Sequence, residues 1–203
     1  MIDLSIRTFW PALASVPVSR DEPGTDDASL LRRAGKGDSE AFAELVAQWE
    51  APARTYARRA LGDADEAEDA VQDAFLQLWR TAPEWKPRAA PRAWFFTLLS
   101  RRCLDRLRRR KFAPVGEPSP QHPDAGALPR QTAEKGERAE MLAEAIEALP
   151  PRQRLAVLLF HTEELSLKEG AAAMDLKPKA FESLLIRARR ALREELRQRG
   201  LEA

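Results

Sequence analysis

The chain is poor in the residues that most often carry chemistry. It has one cysteine, Cys103, and two histidines, His122 and His161, among 203 residues. A single thiol excludes an internal disulfide framework and fits a reducing, cytoplasmic compartment. The histidines are far apart and sit beside no nucleophile pattern, so each reads as an isolated residue rather than a ligand or base. Zinc-ligand spacing, a phosphate-cradling glycine loop and a catalytic Ser or Cys constellation are all missing. The chain is therefore not expected to be an enzyme, and no metal or cofactor is implied. Apolar runs long enough to cross a bilayer are lacking too. Residues 1–17 are mildly apolar, but Arg7 and Pro11 interrupt them and no basic stretch leads in. That is not the pattern of a signal peptide. Strand-like alternation appears nowhere.

Net charge is also small. The formal value is +1, although 32% of residues are charged and 44% hydrophobic. Composition thus indicates a globular protein with a real core, and total charge does not announce a nucleic-acid binder. The distribution says more. Acidic residues collect at Asp63, Asp65, Glu66, Glu68, Asp69 and Asp73. Basic ones collect at Arg101, Arg102, Arg106 and Arg108 to Lys111, and again at Arg187, Arg189, Arg190 and Arg193. One acidic and two basic faces suggest two kinds of partner, one basic and one polyanionic.

Apolar spacing along the chain is helical. Residues 1–25 form a polar, proline-containing extension without period. From Asp27 onward, Phe42, Leu45, Val46 and Trp49 define one helix face. Tyr56, Ala60 and Leu61 suggest a second helix, ended by Gly62. Asp65 is placed to cap a third, with Ala67, Ala70, Val71, Ala74, Phe75, Leu78 and Trp79 inward and carboxylates outward. A loop with Pro83, Pro87 and Pro91 leads into a fourth helix, which carries Trp94, Phe95, Leu98, Leu99, Cys103, Leu104 and Leu107 and ends strongly basic. Residues 112–133 hold Pro114, Pro118, Pro120, Pro123 and Pro129 and read as an extended linker. At about 3.3 Å per residue it reaches roughly 70 Å, or about two turns of duplex at roughly 34 Å each. A second helical block follows over residues 134–203. Leu142, Ala145, Ile146 and Leu149 share a face, Pro150 and Pro151 break it, and Arg152 to Phe160 forms another helix. The fold class expected is all-α, with two small helical domains, residues 26–111 and 134–203, joined by the Pro-rich linker.

The last part of the second block is the most informative. Ser166-Leu167-Lys168-Glu169 is a capping box opening a short helix rich in small residues. Asp175 to Pro178 makes a turn, and a long basic helix follows, with Phe181, Leu184, Leu185, Ala188 and Leu192 inward. That is the helix-turn-helix plan, in which a small first helix lets the second cross closely and enter the major groove. Lys177, Lys179, Glu182, Ser183, Ile186, Arg187 and Arg190 face outward as candidate DNA contacts. A plain αα-hairpin with a solvated arginine face has the same pattern. Likewise, the run Arg106 to Lys111 suits a phosphate backbone or simply a helix C-terminus complementing its dipole. Trp94, Phe95 and Phe96 beside it suit base stacking or, more commonly, a core. The acidic helix lacks the alternating ligands and central glycine of a calcium loop, which leaves a solvated face or a docking face for a basic surface.

Taken in order, these segments resemble sigma factors. Gly62 to Trp79 resembles region 2.2, Arg92 to Phe96 through Asp105 to Arg110 resembles regions 2.3 and 2.4, and Ala148 to Arg154 with the helix-turn-helix resembles region 4. The order and spacing match the extracytoplasmic-function class, which has these two domains alone, over nearly everything from Asp27 to Arg197. The resemblance implies a transcription initiation factor that binds RNA polymerase core and recognises −10 and −35 promoter elements. Asp65, Asp69, Gln72 and Asp73 would dock on the β′ clamp helices. Lys86, Arg88, Arg92, Trp94, Arg101, Arg102, Arg106 and Arg109 would hold the −10 DNA. The second domain would read the −35 element and touch the β flap, and an anti-sigma factor would hold the idle protein, a monomer within the holoenzyme. Some positions depart from the family pattern. Arg101 stands where Asn is usual, and Ala180, Glu182, Leu184 and Ile186 replace Thr, Lys, Arg and His. Gly170 replaces Ile, which is expected to loosen its helix by up to about 1 kcal/mol. The rival readings are a helix-turn-helix regulator that never docks on polymerase, a helical adaptor with no DNA role and, more distantly, a DNA-processing enzyme.

Overall fold

The structure, a computed structural model, describes residues 27–87, 90–112, 141–163 and 165–199. The extension over 1–25, most of the linker, Arg88, His122 and Gly200 lie outside the described residues. All regular elements among the described residues are helical, as the missing alternation predicts. In chain order they are α1 (Asp27–Ala34), α2 (Ser39–Leu61), α3 (Ala64–Thr81) with a 3-10 turn (Ala82–Glu84), α4 (Pro91–Phe112), α5 (residues 141–147), α6 (Pro151–Val157) running into a π-helical turn (Leu158–Thr162), α7 (Leu167–Ala173) and α8 (Pro178–Gln198).

The first domain is built on α2, α3 and α4. Where two helices are expected over residues 42–61, one continuous helix runs through Pro52. A proline interior to a helix lacks the N–H for the ladder. The stripe Ala41, Leu45, Trp49, Ala53, Tyr56 and Ala60 is nevertheless buried along the whole length, so tertiary packing holds the helix across the break. Asp38 caps its start, its carboxylate accepting from the N–H groups of Glu40 and Ala41 at 3.1 and 3.0 Å. Gly62 caps its end at φ +66, a left-handed backbone that glycine adopts without a Cβ clash. The third helix is capped by Asp63, not Asp65: Asp63 is extended and accepts from the Glu66 N–H at 2.9 Å. Because Gly62 ends α2 in one residue, the chain re-enters a helix two residues earlier than the carboxylate count suggests.

The core of this domain is aromatic. Phe75 stacks on Phe95 at 4.5 Å between ring centroids, Trp49 and Phe96 flank Phe95 at 5.4 Å each, and Tyr56 meets Phe96 edge-on at 5.5 Å. A polar pair within it is satisfied. The buried Tyr56 hydroxyl pairs with Ser100 Oγ at 2.8 Å, and Ser100 donates to the Phe96 carbonyl. Cys103 lies in the same core, where burial pushes its thiol up to about 12, so it is held protonated near pH 7.

In the second domain Leu142, Ala145, Ile146 and Leu149 pack inward with Leu155 to Leu159, Ala171, Ala173, Phe181, Leu185 and Ala188. The expected helix over Arg152 to Phe160 starts at Pro151 and changes to a π turn at Leu158. Ser166 and Glu169 form the capping box reciprocally. Gly170 lies beneath the fully buried Phe181, and a Cβ built on it would come 2.5 Å from the ring. The glycine that departs from the family pattern is thus matched by an aromatic residue of α8 that fills its space. The two domains are in contact, α7 against α4 and α6 against α2.

Candidate nucleic-acid interface

Three surfaces carry the residues singled out by sequence. On α3 the exposed positions are Asp65, Asp69, Gln72, Leu76 and Arg80, spaced by four, three, four and four residues and hence on one stripe. Leu76 is 55% exposed, one of few large apolar side chains left in solvent. The sequence reading missed it, although its absence from the inward set of α3 was the available signal. The other acidic residues turn sideways onto arginines. Asp73 takes Arg106 at 3.0 Å, Glu68 takes Arg54 at 3.1 Å, and Glu66 takes Arg110 at 2.9 Å. The acidic block therefore divides into an open stripe and an arginine-paired edge, with Asp73 on the edge.

The basic end of α4 is divided in the same way. Arg101, Arg108 and Arg109 are exposed. Arg102 donates to Gln77 Oε1 at 2.8 Å, Arg106 lies on Asp73, and Arg110 also donates to the Leu61 carbonyl at 2.8 Å. At the other end of α4, Arg92 pairs with Glu163 of the second domain at 2.9 Å and lies 5.1 Å over the Phe96 ring. Lys86 is exposed in the preceding loop. Trp94 is partly buried and packs against the core, while Phe95 and Phe96 are wholly inside it. For those two phenylalanines the core reading holds over the stacking one.

On the helix-turn-helix, Asp175 at φ +54 makes the turn and Pro178 opens α8. Lys177, Lys179, Glu182, Ser183, Ile186, Arg187 and Arg190 are all exposed, and Ile186 reaches 60%. Behind them Arg189 turns inward: its guanidinium lies 5.6 Å over Phe160 and 3.4 Å from His161 Nε2. Burial, with Arg189 adding to it, holds His161 down at about 4, so the ring is neutral near pH 7. Among the described residues no cluster of three or more His, Cys, Asp or Glu is arranged to hold a metal, and no helix is long and apolar enough to cross a membrane.

Residues 45–113 match the family model for Sigma-70 region 2, and residues 139–192 match that for Sigma-70, region 4. The chain is 31% identical over 166 residues to the ECF RNA polymerase sigma factor SigM of Mycobacterium tuberculosis, with 82% of each chain covered. It is 26% identical over 177 residues to the ECF RNA polymerase sigma factor SigW of Bacillus subtilis, covering 82% of this chain and 95% of that one. Among solved structures it is similar to CnrH in complex with the cytosolic domain of CnrY. The TM-score is 0.59 and the identity 26%, over 85% of this chain and 97% of CnrH.

Proposed function

The chain belongs to the sigma-70 family as a factor of the extracytoplasmic-function kind, and on that premise we propose how its surfaces divide the work of directing RNA polymerase to promoters. The stripe Asp65, Asp69, Gln72 and Leu76 docks on the basic clamp helices of the β′ subunit. Its carboxylates orient the encounter, and Leu76, further along the stripe, supplies apolar contact. Asp73 belongs to this surface through its pairing with Arg106. Lys86, Arg88, Arg92, Trp94, Arg101, Arg102, Arg106 and Arg109 hold the separated −10 strand, mainly through phosphates, with a base drawn out of the stack. The α8 face reads the −35 element in the major groove. Arg187 and Arg190 neutralise phosphates, Glu182 accepts from a cytosine amino group, and Ile186 meets a thymine methyl. The second domain also touches the β flap, and an anti-sigma factor holds the idle protein in the cytoplasm. Polymerase performs the chemistry; this chain is not an enzyme and uses no cofactor. In this reading residues 26–111 and 134–203 are the two functional domains, and 112–133 spans the distance between the promoter elements.

The observation that carries this division is the open α3 stripe, in which three polar docking candidates, Asp65, Asp69 and Gln72, lead up to an exposed leucine. The test is a pull-down with bacterial RNA polymerase core, comparing the wild type with an Asp69→Arg/Leu76→Ser variant. Both substitutions fall on exposed positions, so the fold is expected to survive. Stoichiometric binding by the wild type and loss of at least tenfold in the variant, or about 1.4 kcal/mol, is the expected result. Failure of the wild type to bind, where a control sigma factor does, would put the polymerase-independent helix-turn-helix regulator first.

A further inference from the structure

The basic half of α4 carries its arginines on two sides. Arg102, Arg106 and Arg110 recur every four residues and reach α3, while Arg101, Arg108 and Arg109 stand on the open side. The three that reach α3 are not held alike. Arg102 and Arg106 each give one nitrogen, to Gln77 at 2.8 Å and to Asp73 at 3.0 Å. Arg110 gives all three. Its Nε donates to Glu66 Oε1 at 3.0 Å, and one Nη donates to the Leu61 carbonyl at 2.8 Å. The other Nη lies 2.9 Å from Glu66 Oε2 and 3.6 Å from Asp63 Oδ2. On Glu66 this is a two-point fork, a geometry that a guanidinium makes and an ammonium does not.

The partners of Arg110 flank Gly62 at the junction of α2 and α3. Leu61 is the last residue of α2, and its carbonyl is one of the helix-end acceptors left without a partner in the helix. Asp63 caps α3, its Oδ1 taking the Glu66 N–H, and Glu66 lies in the first turn. Arg110 therefore fastens the end of α4 to a junction already fixed on both sides, by the left-handed Gly62 and by the Asp63 cap. That end has reason to loosen. Arg108, Arg109 and Arg110 follow one another there, with Lys111 next. Cations complement the helix dipole, but neighbours of like charge repel and terminal turns fray. Arg108 is drawn back to Asp105 at 3.4 Å, and Arg109 is exposed. We infer that Arg110 is a positioning residue for DNA: it holds the last turn of α4 helical without touching the strand, so that Arg109 meets a phosphate with little order left to lose. The inference rests on the −10 assignment of α4 made above.

The experiment uses the full chain and Arg110→Lys, which keeps the charge and loses the fork. The probe is a fluorescein-tagged single-stranded 12-mer of mixed sequence, read by anisotropy, and the same substitution is also made in an Arg109→Gln background. Amide hydrogen exchange over residues 108–112 reads the order of the helix end, and exchange in the buried middle of α2 establishes that each variant is folded. Arg110→Lys is expected to speed exchange over 108–112 and to weaken binding about three- to tenfold, the effect of leaving one or two long side chains to be ordered on binding. In the Arg109→Gln background it is expected to add no further loss. Unchanged affinity in Arg110→Lys overturns the inference. Equal losses in the two backgrounds overturn it too, since Arg110 would then act on the strand directly, as does a loss without faster exchange. A wild type that does not bind the 12-mer overturns the −10 assignment of α4 and this role with it, whereas a wild type that binds beside an unchanged variant overturns the role alone.

Discussion

At the scale of single residues, sequence reasoning placed outward and inward positions well, because burial follows helical period. All seven candidate contacts of the helix-turn-helix are exposed, and Phe95 and Phe96 are core. Side-chain pairings were not legible. Nothing in the spacing says that Arg92 meets Glu163, or that His161 lies against Arg189, since both pairs are made by tertiary approach. The His161 pairing has a pH consequence. Its ring takes up a proton below about 4 in the folded protein and near 6.5 when unfolded. Between those values the unfolded chain binds more protons, so this group favours the folded state fully above pH 6.5 and progressively less as pH falls toward 4. The slope it contributes is at most about 1.4 kcal/mol per pH unit. Urea midpoints at pH 7.5 and 5.0 should therefore differ more in the wild type than in His161→Gln, which keeps an acceptor for Arg189 without titrating. Equal differences would mean that the ring is already charged, or solvated, in the folded protein.

Elements were legible where their boundaries are local. The capping box at Ser166, the Gly62 stop and the Pro91 and Pro178 starts are all fixed by chemistry within four residues. Where an element depends on its neighbours, the sequence misled. Pro52 argues for a break, yet the buried stripe of α2 overrides it, and the π turn after Val157 has no local signature. Gly170 belongs to the same class. On local propensity alone, Gly170→Ala stabilises α7 by about 1 kcal/mol. In the fold, the added methyl meets the Phe181 ring at 2.5 Å, and overpacking a well-filled site costs about 1–3 kcal/mol. Gly170→Ala is thus expected to be destabilising by up to about 2 kcal/mol. Adding Phe181→Leu should make the alanine neutral or favourable, which a double-mutant cycle on denaturation midpoints would measure. An alanine that stabilises the wild-type background would show that α7 and α8 can slide apart without loss.

Across the whole molecule, the sequence sets apart two charged blocks, an acidic helix proposed to dock and a basic helix proposed to hold DNA, whereas the fold ties those blocks together. Asp73 of α3 and Arg106 of α4 form one ion pair, with Arg106 17% and Asp73 48% exposed at the side chain. Arg102 and Gln77 repeat the link one turn away. On the proposed assignment, a partner that claims Asp73 would release a cation toward the strand, so that docking and −10 contact would reinforce each other through a shared contact. The prediction is specific to position. Both members of the pair would, on that assignment, be engaged by their partners in the holoenzyme, so the effect belongs to the free chain. There, Asp73→Asn should free Arg106 and add about one phosphate contact to single-stranded DNA, steepening the dependence of log K on log salt by about 0.7. Asp69→Asn, on the open stripe and paired with no DNA-facing arginine among the described residues, should leave that slope unchanged while weakening core binding. Anisotropy titrations over a range of salt distinguish the two variants. If both steepen the slope equally, the gain comes from net charge alone, and the Asp73–Arg106 pair couples nothing.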